Sequence, residues 1–272
     1  METINKITTS KQTTMYDHLC KMIIGNEEVL SRIIKAAVDE ANHLNVEEIR
    51  RLIKGVHIGD LIVNPHFHLV DKKGFIKDEG MVYYDILCYI DVPQEDGKNI
   101  RVYLNVEIQN NPYPGYSIIT RGYAYVSRIV SEQWGSEYDD KNYDGMKKVY
   151  SLWIMPKAPK RKDGYMNVYE TNERIICGTT VEEKEIYDKG VILAIYLNKE
   201  HDELLTPLMV LLNNVLDYKG KQRIIEEYGL NTKKIESEVK DMCDLGESIV
   251  LEARNEGKQI ERKEKNIVHV KK

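Results

Sequence analysis

The chain has 272 residues, of which 42% are hydrophobic and 31% charged, enough for one large domain or for a core with an appendage. No apolar run approaches the roughly 18 residues that span a bilayer, and Met1 to Lys6 lack a charged-then-apolar leader, so the expectation is a cytoplasmic protein with no membrane partner. A net charge of −5 gives no global support for nucleic-acid binding, so any such surface must be local.

Residues 1–14 are polar and read as frayed. Met15 to Ile24 predicts a short amphipathic helix, and Gly25 and Asn26 break it. Asn26 caps the next helix, and Glu27 and Glu28 fall in its first turn, where acids suit the macrodipole. Val29, Leu30, Ile33, Ile34, Ala37 and Val38 continue it at helical spacing. Val46 to Lys54 predicts another short helix, and Ile58 to Val70 a strand region broken by Pro65 and ended by Asp71 to Gly74.

Tyr83 to Gln109 is the most informative stretch: two strand-like runs around a polar turn, Val92 to Asn99. Side chains alternate along a strand. Tyr84, Ile86, Cys88 and Ile90, with Val102, Leu104, Val106 and Ile108, make one apolar face suited to a core. Asp85, Glu107 and Gln109 share the opposite face. A symmetric hairpin sets Asp85 opposite Glu107, and directly paired residues have Cβ atoms roughly 4.5–5.5 Å apart. Carboxylates that close repel unless a proton or a cation lies between them. A hard divalent ion such as Mg²⁺ or Mn²⁺ resolves that conflict; a solvated strand face with a chance acidic pair is the bland alternative.

Asn110 to Gly115 signals a turn, after which Tyr116 to Trp134 reads as a helix with Ile118, Gly122, Tyr125, Val126, Ile129 and Val130 on one stripe and Gly135 as its stop. Val149 to Met155 is a buried strand ended by Pro156. Lys147 to Lys162 holds six basic residues and no acid. Its later part, Lys157, Lys160, Arg161 and Lys162, suits a phosphate backbone, and a soluble surface loop explains it equally well. Tyr165 to Cys177 and Val191 to Leu197 read as strands, Leu204 to Tyr218 as an apolar helix, and the chain from about Lys221 as charged and helical, with a solvated end beyond Gly257.

Cys20, Cys88, Cys177 and Cys243 match no zinc spacing and read as buried thiols of a reducing compartment. His57, His66 and His68 have no accompanying ligand cluster, so zinc is disfavoured. The chain has 18 tyrosines, but those near the acidic pair lie in strands, where packing explains them better than base stacking.

In order along the chain, Asp85, Leu104 to Gln109, Pro112 to Tyr116, Arg121 to Tyr123, Gln133 and Lys148 to Trp153 resemble the PD-(D/E)XK nuclease family of transposase-like proteins, close to the recombination-promoting nucleases. The resemblance covers roughly residues 15–180. It implies an α/β, restriction-endonuclease-like αβββαβ core, a mixed central sheet flanked by helices, and a Mg²⁺- (or Mn²⁺-) dependent DNA endonuclease. Asp85 and Glu107 match the metal-binding acids. Gln109 stands where the broader superfamily has lysine, and it would orient a water or the phosphate rather than supply charge. An acid from the first helix often joins such sites, which points to Glu28 before Glu27, with Glu79 a weaker option.

Arg121 and Tyr125 share a helical face. Arg121 is suited to grip a phosphate in place of the missing lysine, with Tyr125 beside it as a nucleic-acid contact; a structural ion pair is the alternative for Arg121. The expected organisation is a nuclease-like core over residues 1–200 and a helical C-terminal region over 201–272. Val239, Met242, Leu245 and Ile249 form a stripe for a dimer helix or for packing on the chain's own core, and a homodimer would suit cleavage of both strands. A nuclease-like module without catalysis, or a metal-dependent RNase, would share the same residues.

Overall fold

The computed structural model describes residues 14–62, 83–95, 97–111, 113–162, 164–197, 205–212, 218–230 and 233–245. Two compact units emerge, one of residues 24–209 and one in which the chain before Ile24 groups with the chain from Val210 on. The division departs from a simple boundary near residue 200, because the first helix belongs with the C-terminal helices.

In the larger unit, helix α2 (Glu27–Ala37) starts where the Asn26 side chain accepts from the Glu28 N–H at 3.0 Å. Helix α3 (Val46–Leu52) starts with a reciprocal capping box, Asn45 Oδ1 accepting from Glu48 N–H at 2.9 Å and Glu48 Oε2 accepting from Asn45 N–H at 2.7 Å. Strand β1 (Ile53–Ile62) follows α3 directly, so the helix expected to reach Lys54 ends two residues early and the strand starts before Ile58. Gly55 and Gly59, at φ of 60° and 107°, lie where the pairing of β1 slips, between Lys54 and His57 and between Ile58 and Leu61. These are bulges of the kind a side chain would oppose.

Strands β2 (Tyr83–Pro93) and β3 (Asn99–Ile108) form the expected antiparallel hairpin. The Gly97 N–H closes its turn onto the Gln94 carbonyl at 3.0 Å. Helix α4 (Ile118–Glu132), capped by Ser117, crosses to β4 (Lys148–Met155), which pairs parallel to β3. A short β5 (Met166–Tyr169), a one-turn α5 (Lys184–Tyr187) and β6 (Gly190–Tyr196) complete a six-stranded open mixed sheet in the order β1-β2-β3-β4-β6-β5. The strand expected from Tyr165 to Cys177 shrinks to those four residues, since Thr171 to Cys177 lie exposed outside the sheet.

Both faces of β3 and β4 are buried, from Val102 to Ile108 and from Val149 to Met155. Helix α4 packs on β4 and β6. Its Tyr125, Val126 and Ile129 meet Leu87, Tyr103, Val149, Trp153 and Ile192. Gly122 brings the helix close: a Cβ there would lie 2.8 Å from Ile192 Cγ2 and 3.1 Å from Trp153 Nε1. At the end of α4 the buried Gln133 accepts from the Lys147 N–H at 2.8 Å and donates to the Lys147 carbonyl at 3.1 Å, fixing where β4 begins. Lys148 is held by Asp188 at 2.7 Å and Glu40 at 3.1 Å.

The smaller unit contains helix α1 (14–24), the end of α6 (Leu205–Leu212), α7 (Tyr218–Glu227) and α8 (233–245). The Tyr16 hydroxyl donates to the Leu212 carbonyl at 2.6 Å across 196 residues of sequence. Lys221 is fully buried; its Nζ donates to the Leu211 carbonyl at 2.9 Å and sits 3.7 Å from Met242 Sδ. Val239 and Met242 are themselves buried, so that part of the C-terminal stripe packs within the protein rather than offering a dimer seam, while Ile249 lies outside the described residues. Cys20, Cys88 and Cys243 are buried as expected and Cys177 is exposed, because the strand that would have covered it is absent.

Two outcomes follow. Alanine is favoured over glycine by about 1 kcal/mol inside a helix, yet Gly122→Ala should lower stability by roughly 1–3 kcal/mol through overpacking against Ile192 and Trp153; urea unfolding measures it, and an unchanged midpoint would contradict the close approach. Burial holds the Lys221 ammonium below its usual range. The unfolded chain therefore keeps that proton to higher pH than the folded one, and stability gains as pH rises towards the ordinary lysine range. Lys221→Met should flatten that rise in urea midpoints recorded from neutral to alkaline pH.

Candidate functional site

The site begins where the β2–β3 ladder ends. Main-chain pairing runs from Pro93 opposite Asn99 to Ile86 opposite Val106, the symmetric register that the hairpin pattern predicts. One residue further, side chains replace the main chain as partners. The Asp85 N–H donates to Glu107 Oε1 at 3.1 Å, and the Ile108 N–H donates to Asp85 Oδ2 at 2.8 Å. The two carboxylates thus bridge the strands where they leave each other.

Strict alternation also fails here. Tyr84, expected on the face opposite the site, packs with Leu87 and Tyr125 on the α4 side, its ring edge-on to Tyr125 at 5.4 Å. The face expected to carry Asp85, Glu107 and Gln109 is a second core, packed against α4. Glu107 is consequently 4% exposed rather than solvated, whereas Asp85 is half-buried.

Glu107 rests on a buried polar chain. Its Oε1 accepts from Asn105 Nδ2 at 2.8 Å. Asn105 Oδ1 accepts from Ser151 Oγ at 3.0 Å, and Ser151 Oγ accepts from Trp153 Nε1 at 3.0 Å. Asn105 and Ser151 are register partners across β3 and β4, which is why their short side chains meet. Sequence reasoning missed this row. Its signal was present, Asn105 beside Glu107 in one apolar strand and Ser151 in another, but linking them requires the β3–β4 register, which no local pattern encodes.

Burial first, and the Asp85 charge second, push the Glu107 carboxyl well above the usual carboxylate range; the hydrogen bonds from Asn105 and the Asp85 N–H, with Arg121, offset part of this. Arg121 is the nearby cation. Its guanidinium donates to the hydroxyls of Tyr116 and Tyr125, the latter at 2.6 Å, and its Cζ lies 5.1 Å from the Tyr125 ring centroid and 5.2 Å from that of Trp153. Burial works against its charge, but the Tyr125 bond and the nearby Glu107 hold it protonated. An aromatic cage, rather than an ion pair with one acid, sets its position.

The other expected residues are placed differently. Gln109 follows the end of β3, where its Nε2 donates to the Asn111 carbonyl at 2.7 Å. Glu28 pairs with Arg50 at 2.6 Å. No three His, Cys, Asp or Glu side chains converge among the described residues, so Glu28 does not join Asp85 and Glu107 in a three-acid cluster. Lys157, Lys160 and Arg161 are exposed, while Lys162 donates to the Tyr196 hydroxyl at 2.8 Å, at the end of β6. His57 lies on β1, and His66, His68 and Glu79 lie outside the described residues.

The donor set at the fork fits a hard cation in its chemistry: two carboxylates, one destabilised as an anion by burial and by its neighbour. It provides two acidic ligands and leaves the rest of a coordination shell to other oxygens. Compared with known proteins, the chain matches no family model, no curated protein and no solved structure.

A pH dependence follows from Glu107. The folded chain keeps that proton after the unfolded chain has released it, so without a cation stability falls as pH climbs above the ordinary glutamate range. Each unit of displacement is worth about 1.4 kcal/mol. Glu107→Gln keeps an acceptor for Asn105 and should raise the urea midpoint at pH 8 while leaving it nearly unchanged at pH 4. A mutant less stable at pH 8 would mean that the carboxylate is well compensated as an anion.

Proposed function

We propose that this protein is a metal-dependent endonuclease that hydrolyses phosphodiester bonds of DNA, on a restriction-endonuclease-like core. The observation that carries the reading is the meeting of Asp85 and Glu107 at the open end of the β2–β3 hairpin, each bonded to the other's strand. The order of helices, three strands, helix and strand from α2 to β4 supports the fold assignment. The ordered motif residues from Asp85 to Trp153 support the substrate class, with recombination or mobile-element biology as the setting the resemblance suggests.

Asp85 and Glu107 would hold Mg²⁺ or Mn²⁺. Such an ion neutralises a phosphoryl group and lowers the pKa of a water. The remaining work falls to the chain. Asn105 and the Asp85 N–H hold the Glu107 carboxylate in one orientation. Arg121, fixed by Tyr116 and Tyr125, presents a forked donor to a phosphate oxygen. Gln109 has its amide nitrogen committed to Asn111, which leaves its carbonyl oxygen to accept from the attacking water. Lys157, Lys160 and Arg161 supply exposed positive charge for the backbone.

A reading from another class, a nuclease-like module that binds without cutting, draws on one observation, the lack of a third converging acid among the described residues. Plasmid nicking in Mg²⁺ or Mn²⁺ separates the two, with an RNA substrate beside it to test the RNase alternative. The wild type should nick DNA, and Asp85→Asn and Glu107→Gln should each lose about 100-fold or more, the scale on which removal of charge stabilisation acts. Millimolar Mg²⁺ should also raise the Tm of the wild type but not of Asp85→Asn, since a ligand of the native state stabilises it. Equal nicking by all three proteins at matched folding would remove the site, and a Mg²⁺ shift without nicking would favour the binding module.

A further inference from the structure

A second feature of the larger unit has no part in the Asp85–Glu107 site. A groove of about 440 Å³ opens between α4, the chain before β6 and the segment after β5. Side chains of Tyr123, Ser127 and Ser131 line it from the helix, and those of Thr171, Tyr187 and Lys189 from the opposite wall. The helical members recur at steps of four residues, so they form one stripe. None of the groove's lining residues is acidic.

Among the described residues, the side chains of Ser127, Ser131, Tyr187 and Lys189 form no hydrogen bond or ion pair. Polar groups that line a concave surface and lack protein partners are satisfied by solvent or by a ligand. Lys189 is half-buried, and burial first, then the Lys147 charge, hold its ammonium below the usual range, although the charges of Asp144 and Glu185 offset part of this. A group in that position gains from an anion more than a solvated surface lysine does. Two phenol rings, Tyr123 and Tyr187, flank the same space, and rings of that kind accept a planar base by stacking.

A lining of one cation, several hydroxyls, no carboxylate and three aromatic rings, Tyr123, Tyr138 and Tyr187, suits a ligand with an anionic oxygen cluster and a flat ring. We infer that this groove binds a nucleoside phosphate, with the phosphate on Lys189 and the hydroxyls of Ser127 and Ser131, and the base against Tyr123 and Tyr187. The site is separate from the proposed cleavage centre and does not depend on it.

Isothermal titration of the full chain with 5′-AMP, adenosine and inorganic phosphate tests the assignment. The wild type should bind 5′-AMP more tightly than inorganic phosphate, and adenosine least. Lys189→Gln should weaken 5′-AMP about tenfold, Lys189→Arg should restore most of it, and the exposed double change Ser127→Ala with Ser131→Ala should weaken it about threefold. Asp85→Asn should leave the affinity unchanged, which separates failure here from failure of the cleavage site. Absence of 5′-AMP binding at millimolar concentration, equal affinity for 5′-AMP and phosphate, equal affinity for 5′-AMP and adenosine, or indifference to Lys189→Gln in a folded protein would each overturn it.

Discussion

A buried carboxylate is the constraint around which the larger unit is arranged. Glu107 lies inside the sheet, where an anion is costly unless hydrogen-bonded or neutralised. The fold answers with donors, Asn105 and the Asp85 main chain, and with a guanidinium at short range. It also adds a second carboxylate, which makes the problem worse. Asp85 has a structural role as well, since it accepts from the Ile108 N–H across the strands. Under the proposed function, such a pair would be relieved by an incoming cation.

Rigidity at the site comes from three layers that share residues. Trp153 is a wall for Arg121, a donor to Ser151 and a close neighbour of Gly122. The helix can sit low enough to carry Arg121 over the sheet only because residue 122 lacks a side chain. Gln133 then fixes the far end of the same helix against the start of β4. Packing and chemistry are therefore coupled: a change in helix height moves the guanidinium, the indole and, through Ser151 and Asn105, the carboxylate.

Much of this was legible in the residues. The hairpin register followed from a symmetric turn between two patterned runs, and it placed Asp85 and Glu107 together. The α4 stripe of Gly122, Tyr125, Val126 and Ile129 followed from helical spacing and is buried as a stripe. What the pattern hid has physical causes. Strict alternation assigned Tyr84 to the wrong side: beyond Ile86 β2 parts from β3, and its pairing with β1 slips between Ile58 and Leu61. The polar row from Trp153 to Glu107 joins strands 46 residues apart in sequence, a parallel pairing with no local signature. The N-terminal helix joins the C-terminal unit through a tyrosine hydroxyl and a main-chain carbonyl, a contact that composition does not reveal.

The two borders of the sheet differ from its interior in what they leave unpaired. A sheet with two buried apolar faces presents, at each rim, unpaired amides that invite foreign strands. Here β1 is kinked at Gly55 and again at Gly59, and β5 offers only Met166 to Tyr169. Among the described residues neither rim gives a long flat template: one is interrupted twice by bulges and the other is four residues long.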